Sequence, residues 1–437
     1  MACCGRNSRA PGRKPCRRNG SNDTTDQALI TNMSFSRTDL DSTQTGTPTP
    51  FAAKDHGIAL AHHWMEFFRG GEAVLDEFGR LFPKAPIFIL VFNEKNLPPS
   101  LLDHPIHASV LQRWPWVKAR FRNLLPLFPE LVRSMRLPRE TRFVLTSDAS
   151  MMKGISIPKH AIHVCYCHSP PRYLWGLEDS HLESSSHGNR LGRWLFSAAL
   201  PRLRRFDRRV AQRVDRFIAN SRCVQARIRR HYGRESVVIH PPVNVERFDP
   251  TRQREDFYLV VSALVPYKRV DLAVAACTQL RRRLIVIGTG PEEADLKRRA
   301  APNVTFLGWQ SDRVVQDHFE RCRALLFPGI EDFGITPCEA QAAGAPVIAF
   351  AEGGATETVK SGVTGLFFEA QTVESMVKVM KRFESMPTFS PLACRANVDH
   401  LGAARFRQEV QAYLETEYPG FFADYPWPSR GSGVALT

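Results

Sequence analysis

The stretch Glu331-Asp332-Phe333-Gly334-Ile335-Thr336-Pro337-Cys338-Glu339 follows the apolar run Ala324-Leu325-Leu326-Phe327-Pro328. An apolar run of that length closed by proline fits a buried strand, and Cys338–Ala343 reads as the helix that follows it. Between them lies a strand-to-helix turn. Glu331 projects from the strand-end loop, and Glu339 sits near the helix start. The backbone N–H groups of Gly334 to Thr336 are unpaired donors at a helix N-terminus. Carboxylates placed this way can each accept hydrogen bonds from two hydroxyls, as recognition of a pyranose or ribose requires. Acidic side chains near a helix N-terminus also favour the helix dipole, so the spacing alone admits a structural reading.

The same strand–helix unit repeats on both sides of this turn. Downstream of Pro241-Pro242, apolar runs at Phe257–Ser262, Leu284–Gly288, Val304–Leu307, Pro346–Ala351 and Gly365–Phe368 join Ala324–Pro328 as strands. Upstream, strands are expected at Gly57–Ala61, Pro86–Phe92, Arg142–Thr146, Ala161–Tyr166 and Arg216–Asn220, with amphipathic helices between them such as Glu72–Phe82. Alternation of this kind predicts an α/β protein with parallel sheets covered on both faces. Two doubly wound, Rossmann-like domains then meet across a cleft outside the carboxyl ends of their strands, where ligands bind. Residues 51–240 form the first domain and 241–402 the second, with the boundary near His240-Pro241-Pro242-Val243. Residues 1–50, rich in Ser, Thr, Asn, Arg and Gly, are expected to be a disordered tail. In 403–437, a helix at about Ala403–Glu417 should cross back to the first domain.

A chain of 437 residues suits two such domains. No run approaches the roughly 20 apolar residues of a spanning helix, and no secretory pattern opens the sequence, so a cytoplasmic location is expected. The ten cysteines are scattered and read as reduced thiols. Cys165-Val-Cys167-His168 lacks a second Cys/His pair to complete a zinc site; both thiols fall on one face of a strand and read as small buried hydrophobes. No metal is expected, nor any cofactor. The net charge of +15 is concentrated between Arg190 and Arg234, where fourteen arginines stand against only Asp207 and Asp215. Such a run is either a solvated helix face or a surface for anionic lipid; no recognition helix, zinc finger or RNP-like motif supports nucleic acid.

Several residues at expected strand ends carry chemistry. Lys268 and Arg269 lie just beyond the first strand of the second domain, facing the cleft, where fixed cations can stabilise negative charge that builds in a reaction. Gly70-Gly71 opens the first helix, just before Glu72, and lets the backbone approach an anion. His168 follows a strand at its carboxyl end, and Pro170-Pro171 forces the chain to turn there. Arg172 and Tyr173 follow that turn and suit a phosphate. Gly288-Thr289-Gly290-Pro291-Glu292 resembles a phosphate loop but lacks the full dinucleotide fingerprint.

Taken in order, Arg69–Glu72, Cys165–Pro170, Phe217–Arg222, Val265–Arg269, Gly288–Glu292 and Glu331–Glu339 resemble the motifs of the family 4 glycosyltransferases of the GT-B fold. Within that family the sequence looks most like the bacterial mannosyltransferases of O-antigen and exopolysaccharide assembly. The resemblance runs from about Gly57 to Glu384. It implies a retaining transfer of a sugar from a nucleotide donor, GDP-mannose first and UDP- or ADP-sugars as alternatives, onto a lipid-linked or saccharide acceptor. By the same resemblance Glu331 holds hydroxyls of the donor sugar and Glu339 those of the ribose. Phe333, Gly334, Ile335 and Thr336 offer backbone donors, Gly71 touches the diphosphate, Gly290 lines the nucleotide side, and His168 contacts the sugar, while Glu72 meets a basic group or the acceptor and Arg172 and Tyr173 bind an acceptor phosphate. Gly308–Ser311 should cradle the base, and Gly353-Gly354 should shape the loop beside the donor. The family arginine five residues before the lysine is replaced here by Ala263, leaving Arg269, or Lys268 with backbone alone, to hold the diphosphate. A nucleotide-sugar epimerase, a phosphorylase and a non-catalytic glycan- or lipid-binding module of the same fold are the other readings. For a lipid-linked acceptor, the partner surface is the anionic inner face of a membrane.

Overall fold

The computed structural model describes residues 57–68, 70–113, 121–176 and 190–428. The tail expected over residues 1–50 lies outside them. The first domain is built on β1 (Ile58–His62), β2 (Ile87–Ile89), β3 (Ile106–Ala108), β4 (Phe143–Asp148), β5 (Ile162–Cys167), β6 (Arg216–Ala219) and β7 (Ser236–Val238). Among the described residues these form one sheet in the order β3-β2-β1-β4-β5-β6-β7, with every neighbouring pair parallel. β1 and β4 are buried along their whole length, which is why their opening residues, Ile58–Ala61 and Phe143–Leu145, read as apolar runs rather than alternating ones. Helices α1 (Gly70–Leu81), α2 (Arg190–Ala211) and α3 (Arg222–Tyr232) connect and cover the strands. Ser221 caps α3 by accepting from the Val224 amide, and Gly233 ends it at φ 65°.

The second domain holds β8 (Tyr258–Val261), β9 (Leu284–Ile287), β10 (Val304–Gly308), β11 (Ala324–Phe327), β12 (Val347–Phe350) and β13 (Gly365–Phe368). Their order, β10-β9-β8-β11-β12-β13, repeats the reversal seen in the first sheet, and all pairs are parallel. Helix α4 (Val270–Leu280) follows β8, and α5 (Ile335–Ala342) follows β11. The second helix starts three residues earlier than its sequence suggests. Pro337 sits in its first turn, where a missing N–H breaks no helical bond, and Gly334 caps it at φ 87°.

The first domain's core is completed from the far end of the described chain. Helix α6 (Ala403–Glu417) buries Phe406, Val410 and Leu414 in the cluster that also holds Val74, Phe78 and Phe143. Phe406 stacks on Phe78 with ring centroids 5.8 Å apart and meets the edge of Tyr166 at 5.7 Å. Beside this contact Arg407 pairs with Glu77. On the other side of the sheet the fully buried Lys153 lies 3.3 Å from Asp148 and 2.7 Å from Asp207. Trp175 Nε1 and the Tyr232 hydroxyl also donate to Asp207, each at 2.8 Å. Burial opposes the lysine's charge, but Asp207, Tyr232 and Asp148 hold its pKa well above the usual value. Lys153 thereby ties α2 to the sheet through paired charges, the arrangement in which a buried ion is tolerated.

Phe406→Ala should cost about 3–5 kcal/mol of stability, the usual cost of emptying an aromatic core position. Urea unfolding followed by tryptophan fluorescence will read it, and a loss under 1 kcal/mol would show that α6 is not part of the core.

Candidate active site

A cavity of about 390 Å³ separates the two domains. The first domain lines it with Gly70, Gly71, Glu72 and His168, and the second with Glu331 to Thr336. These residues leave the carboxyl ends of β1, β5 and β11, where parallel strands must turn into their helices. The starts of α1 and α5 meet here. A methyl group placed on Gly70 would come within 2.2 Å of Ile335 Cδ1. On Gly71 it would stand 3.6 Å from His168 Nε2, in ordinary contact, so Gly71 leaves open the space between the helix start and the imidazole. Glu72, also on this wall, is buried.

Helix α5 presents its first turn from the opposite side. Gly334 adopts a backbone conformation that side chains rarely take. Phe333 is buried and stacks on His240 at 5.1 Å, so what it offers the cavity is main chain rather than ring. Two further glycines hold this loop: a methyl on Gly353 would lie 2.6 Å from the Glu331 carbonyl, and the Gly354 amide donates to that carbonyl at 2.8 Å, while a methyl on Gly354 would strike the Phe333 backbone at 2.3 Å.

The charged groups are paired in ways the sequence did not show. Lys268 forms an ion pair with Glu331, with both side chains about one-fifth exposed. Glu339 sits 2.8 Å from Arg247. Burial raises its carboxyl to about 7 despite the attraction of Arg247. Arg172, read as an acceptor ligand, reaches across the cleft: its Nε donates to Asp332 at 2.8 Å and its guanidinium lies 5.6 Å from the Tyr267 ring. Tyr173 exchanges a hydrogen bond of 2.6 Å with Ser150. Both Arg172 and Tyr173 line an adjoining cavity of about 290 Å³ with Trp64, Leu125 and His168.

Four residues expected at the donor site stand outside both cavity linings: Lys268 and Glu339, in the ion pairs just described, and Arg269 and Gly290. Arg269 does not reach the cavity wall; it turns back onto Asp271 at the start of α4 through two hydrogen bonds of 3.0 and 3.1 Å. Gly290 does not line the cavity either. A methyl there would lie 2.2 Å from the Leu264 carbonyl, so close packing of the β9 loop against the β8 loop explains this glycine, and likewise Gly288 against Ser262. Gly308 to Ser311 also stand outside both cavity linings, and Trp309 is exposed. Arg69 lies outside the described residues. Cys165 and Cys167 are buried together in one apolar cluster.

Sequence reasoning missed His62, His63, Ser147, Arg247 and Asp332. His62 and Ser147 sit at the carboxyl ends of β1 and β4, and polar residues at the end of an apolar parallel strand were the available signal. Ser147 Oγ lies 3.0 Å from His62 Nδ1 and 2.8 Å from His168 Nε2. Burial, and then His63, lower the His168 pKa to about 3, leaving the ring neutral. Arg247 and Asp332 have no local signature, because their partners lie 92 and 160 residues away.

Two doubly wound domains with their strand ends turned to a common cavity define a GT-B protein. A model described as Glycosyltransferase Family 4 matches residues 68–247, and one described as Glycosyl transferases group 1 matches 244–397. The chain belongs to the family 4 glycosyltransferases. A GDP-mannose-dependent alpha-(1-6)-phosphatidylinositol monomannoside mannosyltransferase of Mycolicibacterium smegmatis is 30% identical over 225 residues, covering 44% of this chain and 58% of that protein. A D-inositol 3-phosphate glycosyltransferase of Streptomyces avermitilis is 28% identical over 229 residues, covering 44% of this chain and 49% of that protein. The chain thus spans under three fifths of the length of these relatives. In three dimensions it is similar to Anabaena HepE in complex with UDP (TM-score 0.59, 15% identity, 82% of this chain and 100% of that one). It is also similar to sucrose-phosphate synthase of Thermosynechococcus elongatus (TM-score 0.58, 16% identity, 83% and 100%). At these identities the likeness is one of fold.

Arg172 and Asp332 should be energetically coupled. In a double-mutant cycle of Arg172→Ala and Asp332→Ala, the interaction term is expected at about 1–3 kcal/mol by urea unfolding. Additive losses would mean that the pair does not join the domains.

Proposed function

We propose that the chain is a retaining glycosyltransferase that moves a sugar, mannose from GDP-mannose by first choice, onto a lipid-linked saccharide. One observation carries the reading: two helix N-termini, from different domains, converge on one cavity together with His168 and with Glu331, the carboxylate that Lys268 pairs. Helix N-termini attract anions, and a nucleoside diphosphate placed there meets main-chain donors from both sides. In this reading the diphosphate draws Lys268 away from Glu331. The freed carboxylate then accepts hydrogen bonds from sugar hydroxyls, while the lysine meets charge that builds as the diphosphate leaves. Glu339 takes the ribose hydroxyls in exchange for part of its contact with Arg247. Attack comes from the face the leaving group departs, with the departing phosphate accepting the acceptor's proton.

GDP-mannose is favoured because curated relatives at 30% identity are named as GDP-mannose-dependent mannosyltransferases. The same names, which specify a phosphatidylinositol monomannoside, favour a lipid-linked acceptor. A UDP-sugar is the second reading, supported by the fold shared with the UDP-bound neighbour. Surface polysaccharide synthesis is the setting that the sequence motifs suggest.

A donor bound through an ionised Glu339 must compete with the proton that burial favours. Because its pKa in the free protein is raised to about 7, nucleotide-sugar affinity should fall about tenfold between pH 8 and pH 6. Calorimetry with GDP-mannose, UDP-glucose and ADP-glucose across this range tests both points. Glu339→Gln should flatten the pH profile and weaken binding, whereas Glu331→Gln should chiefly lower turnover. A thermal shift with UDP-glucose alone would overturn the choice of donor, and no response to any nucleotide sugar would overturn the activity.

No helix among the described residues is long and apolar enough to cross a membrane. The proposed lipid-linked acceptor, together with the basic helices of the first domain, favours work at a membrane surface. Several of their arginines serve the fold: Arg202 pairs with Glu130, while Arg204 and Arg208 lie over Trp175. Arg205, Arg209 and Arg213 are exposed on α2 and the turn after it, and Trp194 on α2 is also exposed. Each nearby arginine contributes about 1 kcal/mol at an anionic surface. Co-sedimentation with phosphatidylglycerol vesicles should show binding that fades as salt rises, and that drops when Arg205, Arg209 and Arg213 become glutamine. Binding that ignores both salt and these substitutions would refute the surface.

A further inference from the structure

Three polar side chains stand in a row at the carboxyl ends of β1, β4 and β5. The parallel register sets His62 opposite Ser147. His168 follows Cys167, the partner of Asp148, and its amide donates to the Asp148 carbonyl at 2.9 Å. Ser147 Oγ stands between the rings, 3.0 Å from His62 Nδ1 and 2.8 Å from His168 Nε2. The strand ends leave the serine little freedom: it is fully buried, as is His62. His63 packs on His62 with centroids 4.2 Å apart and places its Nδ1 3.3 Å from the Ser147 carbonyl. Burial and the neighbouring histidines keep His62 well below its usual pKa, and His168 is neutral for the same reasons.

A serine hydroxyl carries one proton. Between two neutral imidazoles it must donate to one and accept from the other. If Ser147 donates to His62 Nδ1, it accepts from His168 Nε2–H, and the other nitrogen of His168 carries a lone pair. If Ser147 donates to His168 Nε2, it accepts from His62 Nδ1–H, and His168 carries its proton on Nδ1. In both arrangements the tautomer of one ring fixes that of the other. Only His168 of the pair lines the cavity, and it lines both cavities. Whether its ring presents a donor or an acceptor decides which group of a ligand it can hold.

We propose that His62 and Ser147 are positioning residues that set the tautomer of His168, and with it the polarity that His168 turns to the donor sugar. The inference rests on His168 belonging to the donor cavity, as the proposed function has it. His62 is fully buried and lines neither cavity, so the serine bridge couples the tautomer of His168 to a ring that the ligand does not touch.

Nitrogen NMR of the full chain, labelled at its histidines and assigned with His168→Gln, reads the tautomer directly. The wild type should show one His168 tautomer. Ser147→Ala and His62→Phe should each shift its ring-nitrogen signals and lower kcat on the order of tenfold or more, with KM for the donor changed less than about twofold. His62→Asn, whose amide can meet the serine from a similar position, should recover part of both. Ring signals unchanged in Ser147→Ala and His62→Phe would overturn the proposal, as would shifted signals with kcat untouched. Failure of the underlying reading looks different: His168→Ala would then keep full turnover, removing the catalytic purpose while the coupling between the rings still stands in the spectra.

Discussion

The contact between Arg172 and Asp332 is the constraint on which the cavity depends. Asp332 lies in the loop between β11 and α5, one residue from Glu331 and two from the glycine that starts the helix. Arg172 grips its carboxylate from the first domain, and Ser221 donates to its carbonyl at 2.6 Å. Nearby, Glu357 of the second domain accepts from the amides of Arg222 and Cys223 at the start of α3. These bonds satisfy donors that a helix N-terminus leaves open, and they fix the loop against the domain it faces. The direction of Glu331, the opening of α5 and the distance to His168 all follow from that anchorage.

The charges at the cavity and beside it are paired. Lys268 neutralises Glu331 and Arg247 meets Glu339, so neither carboxylate stands as an isolated charge in a partly enclosed space. An isolated charge there would be costly, because desolvation is repaid only by a close partner. A ligand that enters must therefore exchange partners rather than fill vacancies. Discrimination then rests on whether it returns as many good contacts as it disrupts.

Much of the fold was legible because long parallel strands buried on both faces leave a plain apolar trace. Phe143–Asp148 and Ile162–Cys167 are of that kind. The two strands that escaped notice, β3 and β7, are three-residue edge strands whose residues are partly exposed or exposed, so burial imposed no pattern on them. The site was legible where function sits in a local motif, as with Glu331, Gly334 and Gly71. It was illegible where a role depends on distant partners. Nothing around Arg172 reveals that Asp332 lies across the cleft, whereas the partner of Arg269, Asp271, stands only two residues on and was open to reading. Gly290 misled for a third reason: a glycine required by close approach of two backbones looks the same in sequence as one required by a phosphate.

The return of α6 to the first domain has a consequence for the order in which the protein is made. Residues that finish the first core, Phe406 to Leu414, are synthesised after the whole second sheet. Until they emerge, the surface formed by Phe78 and Tyr166 has no cover, so the first domain cannot close before the second has been translated. Most chains complete their domains from the amino end as synthesis proceeds. In this one the earlier domain waits for the later one, and the nascent chain carries an unsealed apolar face through most of its time on the ribosome.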